Sequence, residues 1–394
     1  MSSKLASLVG QNLKEFGSRV FGLKELILVS GYYGFGNLGD EAILETLLNH
    51  LESLGLRSRA VVLSHDPQET HRTFEVMSVD RFDLIGFYNL LQRSRLFISG
   101  GGGLFQDATS IKSVLYYSML HHLASLAGVE SFVFAQGLGP LHSPVSKFMA
   151  RRAYALSRIR TVRDERSHQI LDSWGLEGQL TADPVWLLRD SSLPEPVRES
   201  FESVGGKRLL GLSLRKWKGL EPPLLQSFAR DLIKHLPEDL VLVPLSLQDE
   251  LDKEPLSIVS AAWKEAGRSL LDLELNAGKS GLERPSQWLA LFGKLDFLIG
   301  MRLHSLIMAL SMGVPVFGLS YDHKVENVMK EFDQPFLNLV NNSEGISRIS
   351  RAGNLVKDAL VRRQETSEAL HAPLERVRAD ACKNFLFLDR ILGR

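Results

Sequence analysis

The stretch GYYGFGNLGDEAIL, residues 31–44, follows an apolar run at Glu25–Ser30 and leads into an apolar stripe at Ile43, Leu44, Leu47, Leu48, Leu51 and Leu54. A buried strand, a glycine turn and an amphipathic helix, in that order, open a unit whose next strand runs parallel to the first. Gly34, Gly36 and Gly39 also have the G-x-G-x-x-G spacing of a dinucleotide-binding turn. Two features count against that ligand. Asp40 and Glu41 fall in the first helical turn, where a carboxylate repels the phosphate that a helix N-terminus attracts. The acidic residue expected about 20 positions later is poorly met, since Asp66 in "SHDP" lies too late. Asn37 and Asp40 on a tight glycine loop suit sugar hydroxyls or proton transfer, while the plainer role for Asp40 is to cap its own helix.

Outward from this stretch the alternation continues through "RAVVLS", "RLFISG", a helix over about 111–127, "SFVFAQ" and "IRTVRD". Composition changes over Leu188–Lys207, which is rich in proline, serine, charge and glycine and reads as a linker. The pattern restarts with "RLLGLSLR", a helix over about 223–236, "DLVLVPLS", a helix over about 256–266, and "WLALFGKLDFLIG". Phe297–Tyr321 then reads as strand, helix and strand, with Gly313 ending the helix and Pro315 just beyond. The expected fold is α/β, with two Rossmann-like domains facing across a cleft. Residues 1–190 form the first domain, 205–342 the second, and 343–394 a helical tail packing back across both. In such sheets ligands sit outside the carboxyl ends of the strands.

The chain has 394 residues with 46 basic and 46 acidic side chains, so no net field favours a nucleic acid. Its one cysteine, Cys382, excludes an internal disulfide and a cysteine zinc site, and fits a reducing, cytoplasmic setting. Leu5, Leu8, Val9, Leu13 and Phe16 give the N-terminus an amphipathic helical pattern, without the apolar core of a signal peptide. Arg302 and His304 interrupt the longest apolar stretch and argue against a membrane span there.

Polar groups recur beside glycine or proline at successive strand ends. "SGGGGLFQD" carries Gly101, Gly102, Gln106 and Asp107; "AQGLGP" carries Gln136; "TVRDERS" and "TADPVW" follow. In the second half "SLRKW" places Arg215, "GMRLHS" places Arg302 and His304, and "SYDHK" places Lys324 at strand ends. Arginine offers a planar fork to carboxylate or phosphate, and histidine exchanges protons near neutrality. His121 and His122 are adjacent and cannot share a helix face. No serine-hydrolase elbow, zinc-protease motif, paired-cysteine motif or P-loop is present, and no metal is expected.

Taken together, "GYYGFGNLGDEAIL", "GGGGLFQD", "AQGLGP", "TVRDERS", "ADP" and "GMRLHSLIMAL" followed by "GVP" resemble the polysaccharide pyruvyltransferase family, most closely its CsaB branch, over about residues 25–340. Leu38, where a threonine is common in that branch, and the extra segment before residue 20 are the departures. The resemblance implies an arrangement like the glycosyltransferase B fold. It implies transfer of pyruvate from phosphoenolpyruvate, with no further cofactor, to two hydroxyls of one sugar as a cyclic ketal. In the CsaB branch the acceptor is typically an N-acetylmannosamine-type residue of a cell-wall polymer precursor, and the product anchors surface-layer proteins. Arg302-Leu303-His304 matches a donor-associated motif, and Arg215 stands at its second arginine; Lys324 joins this donor set. His304 is the expected acid or base, with Asp40 or Asp107 complementary to it, and Gly36, Asn37, Gly101, Gly102, Gln106 and Gln136 form the acceptor side. A lipid-linked acceptor would draw the enzyme to the inner membrane face through its N-terminal helix and basic tail. The competing expectations are a nucleotide-sugar-dependent glycosyltransferase of the B fold and a non-catalytic sugar-binding module.

Overall fold

Strand β1, Leu26–Ser30, is buried along its whole length, as the interior strand of a parallel sheet must be. The computed structural model describes residues 24–108, 110–273, 281–339 and 347–393. The first sheet also contains β2 (Ala60–Ser64), β3 (Met77–Asp80), β4 (Ser94–Ser99), β5 (Gly102–Phe105), β6 (Glu130–Leu138), β7 (Ile159–Val162) and β8 (Gln179–Leu180). Its parallel strands run in the order β3-β2-β1-β4-β6-β7-β8, with β5 paired to β6. The second sheet joins β9 (Leu209–Ser213), β10 (Val241–Pro244), β11 (Phe297–Gly300), β12 (Val316–Ser320) and β13 (Phe336–Asn338) in the order β10-β9-β11-β12-β13, again parallel. Strand order reverses between β1 and β4 in one sheet and between β9 and β11 in the other. The loops leaving those four strands therefore border the two crevices where doubly wound sheets bind ligands.

Several elements lie where the sequence pattern showed none. The glycine tract after β4 continues as β5, because pairing with β6 overrides the poor strand propensity of glycine. Helices Pro67–Phe74, Leu84–Leu91, Pro144–Leu156 and Glu165–Ser173 are short or weakly periodic. Each nevertheless starts on a side-chain cap, from Asp66, Asp83, Ser143 and Asp164 respectively. The helix expected from about 256 begins at Asp249 and carries Pro255 inside, so the proline masked its first turns.

Helix Leu38–Ser53 and helices of the second domain share one apolar cluster, whereas helices Leu84–Leu91, Ile111–Leu126 and Pro144–Leu156 cover the opposite face of the first sheet. Helix His371–Ile391 buries Leu374, Val377, Ala381, Phe385 and Leu388 in the shared cluster. Against the first domain, Phe385 packs on Phe134 with ring centroids 5.3 Å apart, Asn384 Nδ2 donates to Ala182 O (2.9 Å), and Asp389 meets His50 Nε2 at 2.7 Å. Toward the second domain, Arg378 Nη2 donates to Ser311 O at 3.1 Å. The amphipathic segment read near the N-terminus lies outside the described residues. Among the described residues no helix is long and apolar enough to cross a membrane.

The domains meet at the start of helix Leu38–Ser53. Leu38 N–H donates to Leu247 O (3.0 Å), and Glu45 accepts from Ser286 N and Oγ at 2.8 and 2.9 Å. A methyl group on Gly39 would lie 1.9 Å from His304 Nδ1. Gly39→Ala therefore favours the helix by about 1 kcal/mol in intrinsic propensity while forcing the opposite domain away. The expected result is a larger radius of gyration in small-angle scattering and at least a tenfold loss of turnover, with the melting temperature lowered by no more than a few degrees. An unchanged scattering profile with full activity would refute this contact as the closure point.

Candidate active site

The glycine loop that opens the chain's first crevice holds no free anion site. Gly34 N–H donates to Glu41 Oε1 at 2.7 Å, so the loop is closed by its own carboxylate, and burial pushes Glu41 up to about 8. Asn37, rather than Asp40, caps the helix by accepting from Gly39 N–H (3.3 Å), and Asn37 Nδ2 donates to Asp40 Oδ2 at 2.6 Å. That leaves Asp40 at 7% exposure, turned toward β5, where a methyl group on Gly102 would come within 2.5 Å of Asp40 Oδ1. Gly102 also has φ +96°, a conformation that only glycine takes without strain.

A cavity of about 470 Å³ lies between the domains, lined among others by Asn37, Asp40, Gly102, Gln106, Arg215, Arg302, Leu303, His304 and Lys324. The fold thus brings together residues more than two hundred positions apart. Arg163, Tyr32, Gln248 and Tyr321 line it too. Arg163 and Asp183 sit in the motifs TVRDERS and TADPVW, where the sequence pattern assigns neither residue a role. Their signal was the charge beside a strand end in "TVRD" and "TADP".

Asp183 joins the two domains. Its Oδ1 accepts from Val185 N–H (3.1 Å), while its Oδ2 meets Arg163 Nη1 from the first domain and His304 Nε2 from the second, the latter at 3.5 Å. Burial alone would raise the Asp183 carboxyl, but Arg163 and His304 outweigh it and hold the group well below the usual carboxylate range. For Asp40 burial prevails over the nearby His304, Arg163 and Lys324 and pushes it up to about 6. Two carboxylates in one site are thus driven apart, one kept ionised and the other poised to exchange a proton near neutrality.

Lys324 reaches in from the second domain. Methyl groups on Gly103 and Gly137 would come within 3.4 and 3.3 Å of its Nζ, so those glycines make room for the ammonium. Burial and the neighbouring Arg163 lower its pKa, and its Nζ makes no hydrogen bond among the described residues. Arg215 donates from Nη1 to Tyr321 Oη (3.0 Å), and its buried Nε has no hydrogen-bond partner among the described residues. Arg302 is differently placed. Its Nε and Nη2 bind Asp252 at 2.9 and 2.5 Å and its Nη1 donates to Gln248 Oε1 at 3.1 Å, so its charge is balanced within its own domain.

Other expected site residues stand apart from the cavity. Asp107 accepts from the backbone N–H groups of His142 and Ser143, both at 2.8 Å, and fastens a loop. Gln136 is fully buried, donating to Ser99 and Gly100 and accepting from Tyr154 Oη. Gly101 packs on Ile43, and Gly36 lines a neighbouring cavity of about 460 Å³. Among the described residues no group of three or more His, Cys, Asp or Glu side chains is arranged to hold a metal ion.

Two outcomes follow from these pairings. Asp252 is 0% exposed, so Arg302→Ala strands a buried carboxylate and should cost about 3–5 kcal/mol of stability. Arg302→Ala with Asp252→Asn should recover part of that in chemical denaturation; equal stability of the single variant and the parent would contradict the pairing. For Asp40 the folded pKa lies above the unfolded one, so the unfolded chain loses its proton first and stability falls as pH rises from about 4 to 6. Asp40→Asn should remove that fall, raising stability above pH 7 by up to about 3 kcal/mol and leaving it unchanged below pH 4. Parallel stability-against-pH curves would rule this out.

Comparison with solved structures shows the fold. A putative UDP-N-acetylglucosamine 2-epimerase from Listeria monocytogenes superposes with a TM-score of 0.60 at 14% identity, covering 92% of this chain and 97% of that one. The UDP-GlcNAc 2-epimerase from Neisseria meningitidis, bound to UDP-GlcNAc, gives 0.58 at 10% identity with 94% and 100% coverage. HepE from Anabaena, in complex with UDP-glucose, gives 0.54 at 12% identity with 93% and 99% coverage. These are glycosyltransferase B-like proteins of two Rossmann-like domains, and at such identities they speak to architecture alone. A search of curated proteins finds no match. Residues 37–323, from the helix cap Asn37 to the helix that carries Lys324, match the family described as polysaccharide pyruvyl transferase, and the chain belongs to that family.

Proposed function

We propose that this pyruvyltransferase takes its pyruvyl group from phosphoenolpyruvate and places it as a cyclic ketal on a sugar of a cell-wall polymer precursor, in the manner of the CsaB branch. The acceptor is an N-acetylmannosamine-type residue on a lipid carrier, met at the cytoplasmic face of the membrane. The observation that carries the donor assignment is the pair of unsatisfied cationic donors in the cavity, Lys324 Nζ and Arg215 Nε, with Arg163 beside the first. Phosphoenolpyruvate brings a phosphate and a carboxylate, and each charge-assisted hydrogen bond contributes roughly 1.5–3 kcal/mol. An anion between Lys324 and Arg163 also removes their mutual repulsion. Arg302, balanced by Asp252, positions Gln248 and adds less to donor charge.

The chemistry then needs a proton on the methylene carbon of the donor and two protons taken from sugar hydroxyls. Protonated Asp40 suits the first role, generating an oxocarbenium-like centre that one hydroxyl attacks. His304, fixed against Asp183, takes that hydroxyl's proton. Loss of phosphate and attack by the second hydroxyl close the ketal. Asp107, tied to backbone amides outside the cavity, leaves the part of acceptor-side base to Asp40 and His304. Tyr32 and Tyr321 offer ring faces and hydroxyls to the sugar at the same cavity.

Thermal unfolding with phosphoenolpyruvate or with UDP-sugars tests the donor without needing the acceptor. Phosphoenolpyruvate at about 100 times its Kd should add about 2.7 kcal/mol of stability, and Lys324→Met or Arg215→Met should abolish most of that gain while unfolding normally without ligand. Stabilisation by UDP-sugars alone would replace this reading with a glycosyltransferase. Asp40→Asn should lower kcat about 10²–10⁴-fold with donor binding retained; normal turnover would remove Asp40 from the mechanism.

A further inference from the structure

The opposite layer of the first domain exposes apolar side chains at one end. Helices Leu84–Leu91, Ile111–Leu126 and Pro144–Leu156 lie side by side over the same sheet face, each packed on the next. They follow strands of one parallel sheet, so their first turns all lie at the carboxyl end of that sheet, the end that holds the cavity. Those first turns present Phe82 and Ile85, Ile111 and Leu115, and Val145 and Phe148, with Ile85 79% and Phe148 62% exposed. Scattered exposed apolar residues need no explanation, but three adjacent turns with the same pattern form a patch.

Charge on these helices is one-sided. Lys112 and Lys147 in the first turns, and Arg151 and Arg152 farther along, are exposed, and helices Ile111–Leu126 and Pro144–Leu156 contain no Asp or Glu, in a chain whose acidic and basic residues are equal in number overall. Three carboxylates stand at the same edge, each held in its loop by backbone amides: Asp80 by Phe82 N–H, Asp83 by Gly86 N–H, and Asp107 by His142 and Ser143 N–H. Apolar tips backed by two helices whose only formal charges are positive match an anionic bilayer, where the tips enter the headgroup boundary and each cation adds electrostatic attraction. Ser113, one residue from Lys112, lines the cavity, so the patch borders the cavity mouth.

We propose that this face, formed by the first turns of the three helices, is the surface with which the protein docks on an anionic membrane, turning the mouth of its cavity toward the lipid. The inference does not depend on which donor or acceptor the site takes.

Flotation of the full-length protein with vesicles of phosphatidylcholine and phosphatidylglycerol, against vesicles of phosphatidylcholine alone, tests it. The parent protein should float with the anionic vesicles and far less with the neutral ones, and high salt should release it. Two separate variants, Ile111→Ser with Leu115→Ser and Phe148→Ser, and Lys112→Glu with Lys147→Glu and Arg152→Glu, should each lower partitioning about tenfold or more. Neither set belongs to the cavity's ionic groups, so melting temperature and stabilisation by phosphoenolpyruvate should match the parent and show that the fold is intact. Failure of the parent to float, or flotation of both variants at the parent's level, overturns the proposal. In the second case membrane binding lies elsewhere on the chain.

Discussion

One buried carboxylate, Asp183, meets side chains from both halves of this molecule where the site forms. Its two oxygens are divided between a backbone amide, which fixes its direction, and two partners from different domains, the Arg163 guanidinium and the His304 imidazole. Arg163 and Asp183 are 7% and 5% exposed, so the ion pair operates in a setting where charge is costly unless fully partnered. What this arrangement supplies is specificity of position more than net stability. His304 comes to rest against Gly39 only when the second domain is docked, and the opposed tendencies of Asp40 and Asp183 depend on the same closure.

Parallel strands with a doubly wound order set where that site lies. Both sheets direct their carboxyl ends at the cleft, and both reverse strand order there, so the loops after β1, β4, β9 and β11 converge without any special sequence requirement. Glycine enters for a narrower reason. Gly102, Gly103 and Gly137 leave space for Asp40 and Lys324 to approach the floor of the cavity, and the tract that looks like a flexible loop is partly the paired strand β5.

Much of this was legible in the sequence. Strand and helix alternation indicated the α/β architecture, since buried parallel strands read as continuous apolar runs, and the Asp and Glu in the first turn already argued against a dinucleotide. Most expected site residues do line one cavity because strand ends are where such folds place them. The failures have physical causes. Gln136 and Asp107 are polar at strand ends, as a ligand group would be, but their hydrogen bonds are satisfied internally, and only geometry distinguishes the two cases. Arg302 has the look of a free cation because its partner Asp252 lies fifty positions earlier, on a helix whose start a proline concealed. Arg163 and Asp183 form a pair only through folding, and nothing in their local spacing announces it.

The helix His371–Ile391 carries a consequence for how the chain acquires its structure. It seals part of the first domain through Asn384 and Ala182, 202 positions apart, and through Phe385 against Phe134. A ribosome releases the strands of the first sheet long before it makes this helix, so an apolar seam on the nascent first domain stays uncovered while the whole second domain is made. Contacts of such sequence separation close slowly, and exposed seams attract other chains. Chaperone demand should accordingly centre on the first domain, whose cover is made some 202 positions after the seam it closes.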